Sequence, residues 1–369
     1  MNSKNTKLDG NILTPTGWKS GSISFDQRIQ IISGNLTDPQ KNNQHYILPG
    51  FIDLHVHGGG DKDMMEGEGA AKIIARMHAQ HGTTSLLATT MTAPMNEIEH
   101  ALHGINSAMQ HHEKSMARVL GVHLEGPYIN PDKLGAQPDY AQTATLADVQ
   151  KLNAIAPIKL ITVAPEMDAH LSLIREFTQL GMKVQLGHTL GTYEDGVAAL
   201  ENGAAGFTHL FNAMSRMDHR APGIVGAALA HANYAEIIPD LLHVHPGAIK
   251  AAMRAIPHLY CVTDSTSASG MPDGQYMLGR QQVHKCMGGV RLADGTLAGS
   301  TLTMDQALRN LVSIGLDLAD ASKRVSTFAA DYLGMKERGR LQEQCYADIV
   351  VMDRELNLIA VYVEGVEIS

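Results

Sequence analysis

Several short stretches of this 369-residue chain place histidines and carboxylates where they could hold an ion. In ILPGFIDLHVHGGG, Ile47 to Gly60, an apolar run the length of one buried strand ends in His55 and His57 and then in three glycines. Residues two apart on a strand point to the same side, so both imidazoles converge on one spot at its end. Gly58 to Gly60 leave room there for backbone and ligand to approach. In VHLEGPYINPDKLGAQ, Val122 to Gln137, Glu125 closes another apolar run and Gly126-Pro127 forces a turn. LGHTLGTYEDG adds His188, and GFTHLFNAMSRMDHRAPG adds His209, Asn212, His219 and Arg220. A glutamate with two histidines is a common catalytic set, because three protein ligands leave a position open for water. A divalent ion held there lowers the pKa of that water toward neutrality and polarises a carbonyl oxygen. His55 and His57 can hold a second ion nearby.

Asp264, in VTDSTSASG, supplies what the ion cannot. Hydrolysing an amide needs a group that takes the proton from attacking water and passes it to the leaving nitrogen, and a carboxylate beside the metal suits that shuttle. The plainer reading of Asp264 is a helix N-cap ahead of Ser265-Thr266. Arg220 and His243 are candidates for an anionic group, since guanidinium grips phosphate by paired hydrogen bonds. His219 and His245 read as ordinary polar residues, and the 19 methionines as core filling.

The elements that must position these residues are legible as a repeat. Apolar runs with polar ends recur at Phe51 to His57, Ser85 to Thr92, Val119 to Glu125, Leu160 to Glu166, Val184 to His188, Phe207 to His209, Ile237 to His243 and Tyr260 to Asp264. Helix-compatible segments lie between most of them: Ala70 to Gln80, Leu146 to Ile155, Leu171 to Leu180 and Tyr193 to Asn202. Eight strands alternating with helices predict an α/β fold, a (β/α)8 barrel of the TIM type, with chemistry at the carboxyl ends of the strands. The two ends of the chain differ from this middle. Alternating segments such as Ser22-Ile23-Ser24-Phe25, and ADIVVMD and NLIAVYV near the end, predict one small β-sandwich built from both termini. The expected division is 1–47 and 336–369 for the sandwich and 48–335 for the barrel. A glycine-rich stretch after Asp264 predicts a loop and hairpin insertion beside the site, and Thr301 or Thr303 can cap the helix that follows.

Composition narrows the function. Hydrophobic residues at 44% and charged residues at 18% describe a globular chain, and a formal net charge of -9 argues against a nucleic-acid partner. A few local cations can still hold a small anion. No run approaches the roughly 20 apolar residues of a membrane span, and MNSKNTKLDGN lacks the apolar core of a secretion signal. Cys261, Cys286 and Cys345 are few and scattered, which makes a reducing cytoplasm the expected compartment.

Taken together, PGFIDLHVHGGG, HLEGPYINPDKLGAQ, LGHT, THLFNAMSRMDHRAPG, HVHP, VTDSTSASGMPDG and DGTLAGSTLTMD resemble the N-acetylglucosamine-6-phosphate deacetylase family of the amidohydrolase superfamily, over essentially the whole chain. The resemblance implies a distorted barrel with a two-termini sandwich, usually as a homodimer. It implies metal ligands at Glu125, His188 and His209, a second ion at His55 and His57, and a proton shuttle at Asp264. It further implies substrate contacts at Ala136, Gln137, Asn212, Ala213, Arg220, His243 and the Leu302-Thr303-Met304 segment, with Arg220 and His243 reaching the sugar phosphate of the neighbouring subunit. The implied cofactor is one or two divalent ions per subunit; zinc is expected first, and the same ligands accept iron, manganese or cobalt. Two positions depart from the family pattern. Position 137 is Gln where some single-metal members carry His, and Gln donates a hydrogen bond but cannot become cationic. Leu241 stands before His243 where many members have glycine. The implied reaction is removal of acetate from N-acetyl-D-glucosamine 6-phosphate. The galacto epimer, another amidohydrolase substrate and a catalytically silent barrel are the alternatives.

Overall fold

The computed structural model describes residues 5–368. Eight parallel strands occupy its centre: Phe51–Val56, Thr83–Thr90, Arg118–Glu125, Ile158–Val163, Lys183–Leu186, Gly206–Phe207, Tyr234–Ile237 and His258–Cys261. The first six lie side by side in chain order in one sheet, and the last two pair with each other. A few backbone hydrogen bonds close the ring. Leu210 N–H donates to the Glu236 carbonyl at 2.9 Å, Asp264 N–H to the His55 carbonyl at 2.9 Å, and His57 N–H to the Ser265 carbonyl at 3.0 Å. The closure sets the last strand's end against the first, so His55, His57 and Asp264 meet.

Helices separate the strands because short capping signals start them and an apolar face holds them down. Leu146–Ile155 begins at Thr145, whose side chain accepts from Asp148 N–H, and Tyr193–Glu201 begins at Thr192 in a reciprocal capping box with Asp195. Ala70–Ala79 buries Ile74, Ala75 and Met77. His170–Gln179 lies between the fourth and fifth strands, and Met95–Gln110, Gly223–His231 and Pro246–Ala255 complete the alternation at places where the sequence pattern is less clear. Among the described residues no helix is long and apolar enough to cross a membrane.

Strands Thr6–Thr14, Gly17–Phe25, Ile29–Leu36 and Tyr46–Pro49 from the start of the chain join Ile349–Met352, Leu358–Val363 and Val366–Glu367 from its end in one seven-stranded sheet. Ile12, Ile23, Phe25, Ile47, Ile349 and Val351 gather in a core of their own. After Asp264 the chain builds a four-stranded antiparallel sheet, Gly274–Leu278, Gln281–Cys286, Gly289–Arg291 and Leu297–Ser300, which packs on Met91 and Ala268. It stands over the carboxyl ends of the barrel strands.

The seventh strand corrects the sequence expectation. It runs over Tyr234–Ile237, and Pro239, which has no N–H to donate, follows two residues on. His243 therefore sits in a turn six residues past the strand, not at its end. Asp264 caps no helix either: Ser265 forms a single bridge, Thr266 has no regular structure, and a turn begins at Ser267.

Candidate active site

His55 projects from within the first strand, His57 from just past it, and Glu125 from the end of the third. His188, His209 and Asp264 follow the ends of the fifth, sixth and eighth strands by two or three residues. All six are buried. The last three hold backbone φ angles of 48°, 27° and 49°, a region costing a non-glycine residue about 1–3 kcal/mol, so the surrounding fold imposes their positions.

Glu125 divides the site between its two oxygens. Oε1 lies 3.2 Å from His188 Nε2 and 2.9 Å from His209 Nε2, and those nitrogens are 3.2 Å apart. Oε2 lies 3.1 Å from His57 Nε2 and 3.4 Å from His55 Nε2, which are 3.1 Å apart. Asp264 Oδ1 adjoins the second set, 3.3 Å from His57 Nε2 and 3.5 Å from His55 Nε2. Each set brings three ligand atoms together.

Those atoms fit a cation. His188 Nδ1 is 2.8 Å from the Lys133 carbonyl, which can only accept, so Nδ1 carries the hydrogen and Nε2 presents a lone pair. His55 Nδ1 is likewise turned to a carboxylate, that of Glu236. Lone pairs on nitrogen and carboxylate oxygen thus face one another at close range. Tetrahedral ligands about 2.0–2.1 Å from a first-row ion stand about 3.3 Å apart, close to the spacing seen in both sets. The electrostatics agree. Burial pushes the Glu125 carboxyl up, but His55, His188 and His209 outweigh it and hold it well below the usual range. Burial likewise raises Asp264, and His55 and His57 more than offset it, so this carboxylate is ionised too. Burial pulls His57 down, yet Asp264 and Glu125 push it up to about 9, which measures how strongly the cluster draws positive charge. A divalent ion answers that demand while leaving the Nε2 lone pairs to bind it.

A cavity of about 410 Å³ opens on this cluster. His57, Glu125, Ala136, Gln137, His188, His209, Asn212, Ala213, His243 and Asp264, all expected from the sequence, line it; His55 lies beneath, fully buried. Gln137 is held at both ends: Oε1 accepts from Thr92 N–H at 2.7 Å, and Nε2 donates to Glu125 Oε2 at 2.6 Å. His243 Nδ1 lies 2.6 Å from Asp240 Oδ2; burial pulls its pKa down, but Asp240 outweighs burial and raises it, favouring the cation. Leu241 has φ 66°, the left-handed region that glycine adopts without penalty, which gives a physical reason for glycine to suit this position.

Four expected residues stand away from the cavity. Arg220 is exposed on the loop after the sixth strand. Leu302 and Met304 are packed in the barrel core, and Thr303 starts the helix Met304–Ser313. The part of that stretch that does line the cavity is Thr296, Leu297 and Gly299. Met91, Lys133 and Leu278 line it as well. Met91, one residue past the second strand, was findable by the strand-end rule, and Lys133 lies inside a stretch already singled out.

The Amidohydrolase family model matches residues 46–368. This chain belongs to that family. It is 38% identical over 350 residues to the N-acetylglucosamine-6-phosphate deacetylase of Lysinibacillus sphaericus, covering 92% of this chain and 89% of the relative. It is 34% identical to the N-acetylgalactosamine-6-phosphate deacetylase of Escherichia coli O157:H7, covering 96% of each. Among solved structures, N-acetylglucosamine-6-phosphate deacetylase of Thermotoga maritima superposes with a TM-score of 0.90 at 29% identity, over 98% of this chain and 99% of that one. An alanine mutant of the Mycobacterium smegmatis enzyme, in complex with N-acetyl-D-glucosamine-6-phosphate, gives 0.91 at 28%, over 99% and 100%. The likeness covers barrel, terminal sheet and insertion alike.

Proposed function

We propose that this amidohydrolase removes acetate from N-acetyl-D-glucosamine 6-phosphate, leaving D-glucosamine 6-phosphate. The observation that carries the reading is Glu125, whose two oxygens face two imidazole pairs with Asp264 beside the second. Glu125, His188 and His209 would hold one divalent ion, and Glu125, His55 and His57 a second; zinc suits both sets. Bound there, the metal supplies Lewis acidity to the acetamide oxygen and makes water acidic enough to attack at neutral pH.

The chain's own groups do the rest. Asp264, ionised, takes the proton from the attacking water as the oxygen–carbon bond forms. It then returns that proton to the nitrogen, so the carbon–nitrogen bond breaks to release a neutral amine and acetic acid, which gives up its remaining proton to solvent as acetate. Gln137, oriented by Thr92 and Glu125, keeps its second Nε2 hydrogen for the developing oxyanion. His243, drawn toward the cation, suits the sugar phosphate. Arg220, exposed and off the cavity of its own chain, supports a homodimer in which it reaches the partner's phosphate. A phosphorylated substrate and three free cysteines fit the cytoplasm.

The N-acetylgalactosamine-6-phosphate deacetylase relative, matched along 96% of its length, favours the galacto epimer as the second reading. Acetate release should be followed with both 6-phosphates on protein of known metal content. We expect kcat/KM for the gluco sugar to exceed the galacto value at least tenfold, a reversed ratio to assign the enzyme to the epimer, and silence with both to end the proposal.

A further inference from the structure

Glu236 lies in the seventh strand, fully buried, with its side chain turned into the barrel beneath the ligand cluster. Its Oε2 meets two donors: His55 Nδ1–H at 3.0 Å and the backbone N–H of His209 at 3.2 Å. Its Oε1 receives the Tyr260 hydroxyl at 3.3 Å. We propose that Glu236 is a positioning residue that sets both metal subsites at once, through the ring of His55 on one side and the backbone of His209 on the other. This inference rests on the two-subsite reading above.

Two arguments support it. The first concerns tautomers. A neutral imidazole carries one hydrogen, and a partner that can only accept decides which nitrogen bears it. Of the four ring side chains, His188 has its Nδ1 fixed by a main-chain carbonyl and His55 by Glu236. His57 and His209 Nδ1 find no partner among the described residues. Without Glu236, His55 could carry its hydrogen on Nε2, pointed at Glu125 and His57, and would then be no ligand. A carboxylate behind a ligating imidazole also raises its basicity and fixes its ring orientation.

The second concerns the backbone. His209 holds φ 27°, an unfavourable conformation, and its N–H ends on a side chain where a neighbouring strand would offer a carbonyl. The same carboxylate oxygen therefore restrains one ligand of each subsite. Glu236 is itself held. Tyr260, which donates to it, accepts from Gln185 Nε2 at 2.7 Å, and Gln185 Oε1 accepts from the Thr208 hydroxyl at 3.0 Å. These are buried side chains from the eighth, fifth and sixth strand regions, so the support runs across the barrel interior.

The test measures metal binding, independent of turnover. Zn2+ affinity should be determined by chelator competition, and stoichiometry by elemental analysis, for wild type, Glu236→Leu, Glu236→Gln and Glu236→Asp. Glu236→Leu removes every acceptor and should weaken Zn2+ binding about 10–100-fold, with fewer ions retained per chain. Glu236→Gln can place its amide oxygen at the shared position and should recover at least threefold over Leu. Glu236→Asp keeps the charge but withdraws the carboxylate by one methylene, and should lose at least tenfold even if the Leu variant does not fold. Leu or Asp variants within threefold of wild type would overturn the proposal, as would a Gln variant no better than Leu. Wild type that binds no divalent ion would instead sink the metal-site reading itself.

Discussion

Asp264 and Glu125 are both buried carboxylates, yet their surroundings give them different work. Glu125 has oxygens facing four imidazoles and an amide, which leaves it no freedom to move protons. Asp264 touches His55 and His57 through one oxygen only and faces the cavity, so it can exchange a proton with a bound substrate. Replacing it with Asn keeps the shape and removes the acceptor for the proton. Asp264→Asn should lower kcat by about 10²–10⁴-fold with metal content unchanged, checked by acetate release beside elemental analysis. Turnover within a few-fold of wild type would remove Asp264 from the reaction. At this scale much was legible, because polar residues closing apolar runs are conspicuous. What could not be read was orientation: that Gln137 is tied to Thr92 and Glu125, or that Glu236, inside the apolar strand YAEI, turns inward to meet His55.

At the scale of elements, the glycines after His57 show why sequence and structure part. Their small size suggested space for a ligand. A Cβ on Gly58 would instead lie 2.4 Å from Ser267 nitrogen and 2.5 Å from the Lys62 carbonyl oxygen, both main-chain atoms. The space belongs to the segment that follows Asp264, whose Ser265 carbonyl accepts from both His57 and Gly58 N–H. One methyl group would therefore push the first and eighth strand ends apart, and with them His57 and Asp264. Gly58→Ala should cost about 1–3 kcal/mol in stability and lower kcat more than it raises KM, read by urea unfolding and steady-state kinetics. A variant as stable and active as wild type would show that the two ends can shift independently. The strands themselves were readable from their apolar runs, but a close approach between segments some 200 residues apart leaves no local pattern. Leu241 is similar: no periodicity announces a positive φ.

Across the whole molecule, the alternating segments at the two ends predicted a small β-sandwich shared by both termini, which the structure builds around one seven-stranded sheet, but not the charges that fasten it to the barrel. Arg118, at the start of the third barrel strand, donates to Glu364 at 3.0 and 2.7 Å, and Arg338 bridges Glu364 to Asp348. Arg118 and Glu364 are 246 residues apart, so composition alone could not pair them. Burial pushes the Glu364 carboxyl up, but Arg118 and Arg338 outweigh it and bring it to about 2, from an ordinary value of 4.5. A folded state that refuses a proton the unfolded chain accepts is more stable wherever that proton is absent. The contribution is therefore complete above about pH 4.5 and lost as the pH falls toward 2; with the carboxylate partly screened by solvent it amounts to about 1–2 kcal/mol when complete. Asp348 runs the other way, since burial outweighs Arg338 and raises it, so acidification of wild type alone would mix two opposed effects. Comparison with Glu364→Gln separates them. The variant should be less stable by about 1–2 kcal/mol at pH 7, and the gap should shrink steadily below pH 4.5 in urea unfolding. A gap that stays constant from pH 7 to pH 3 would mean that the carboxylate's charge does not fasten the terminal sheet to the barrel.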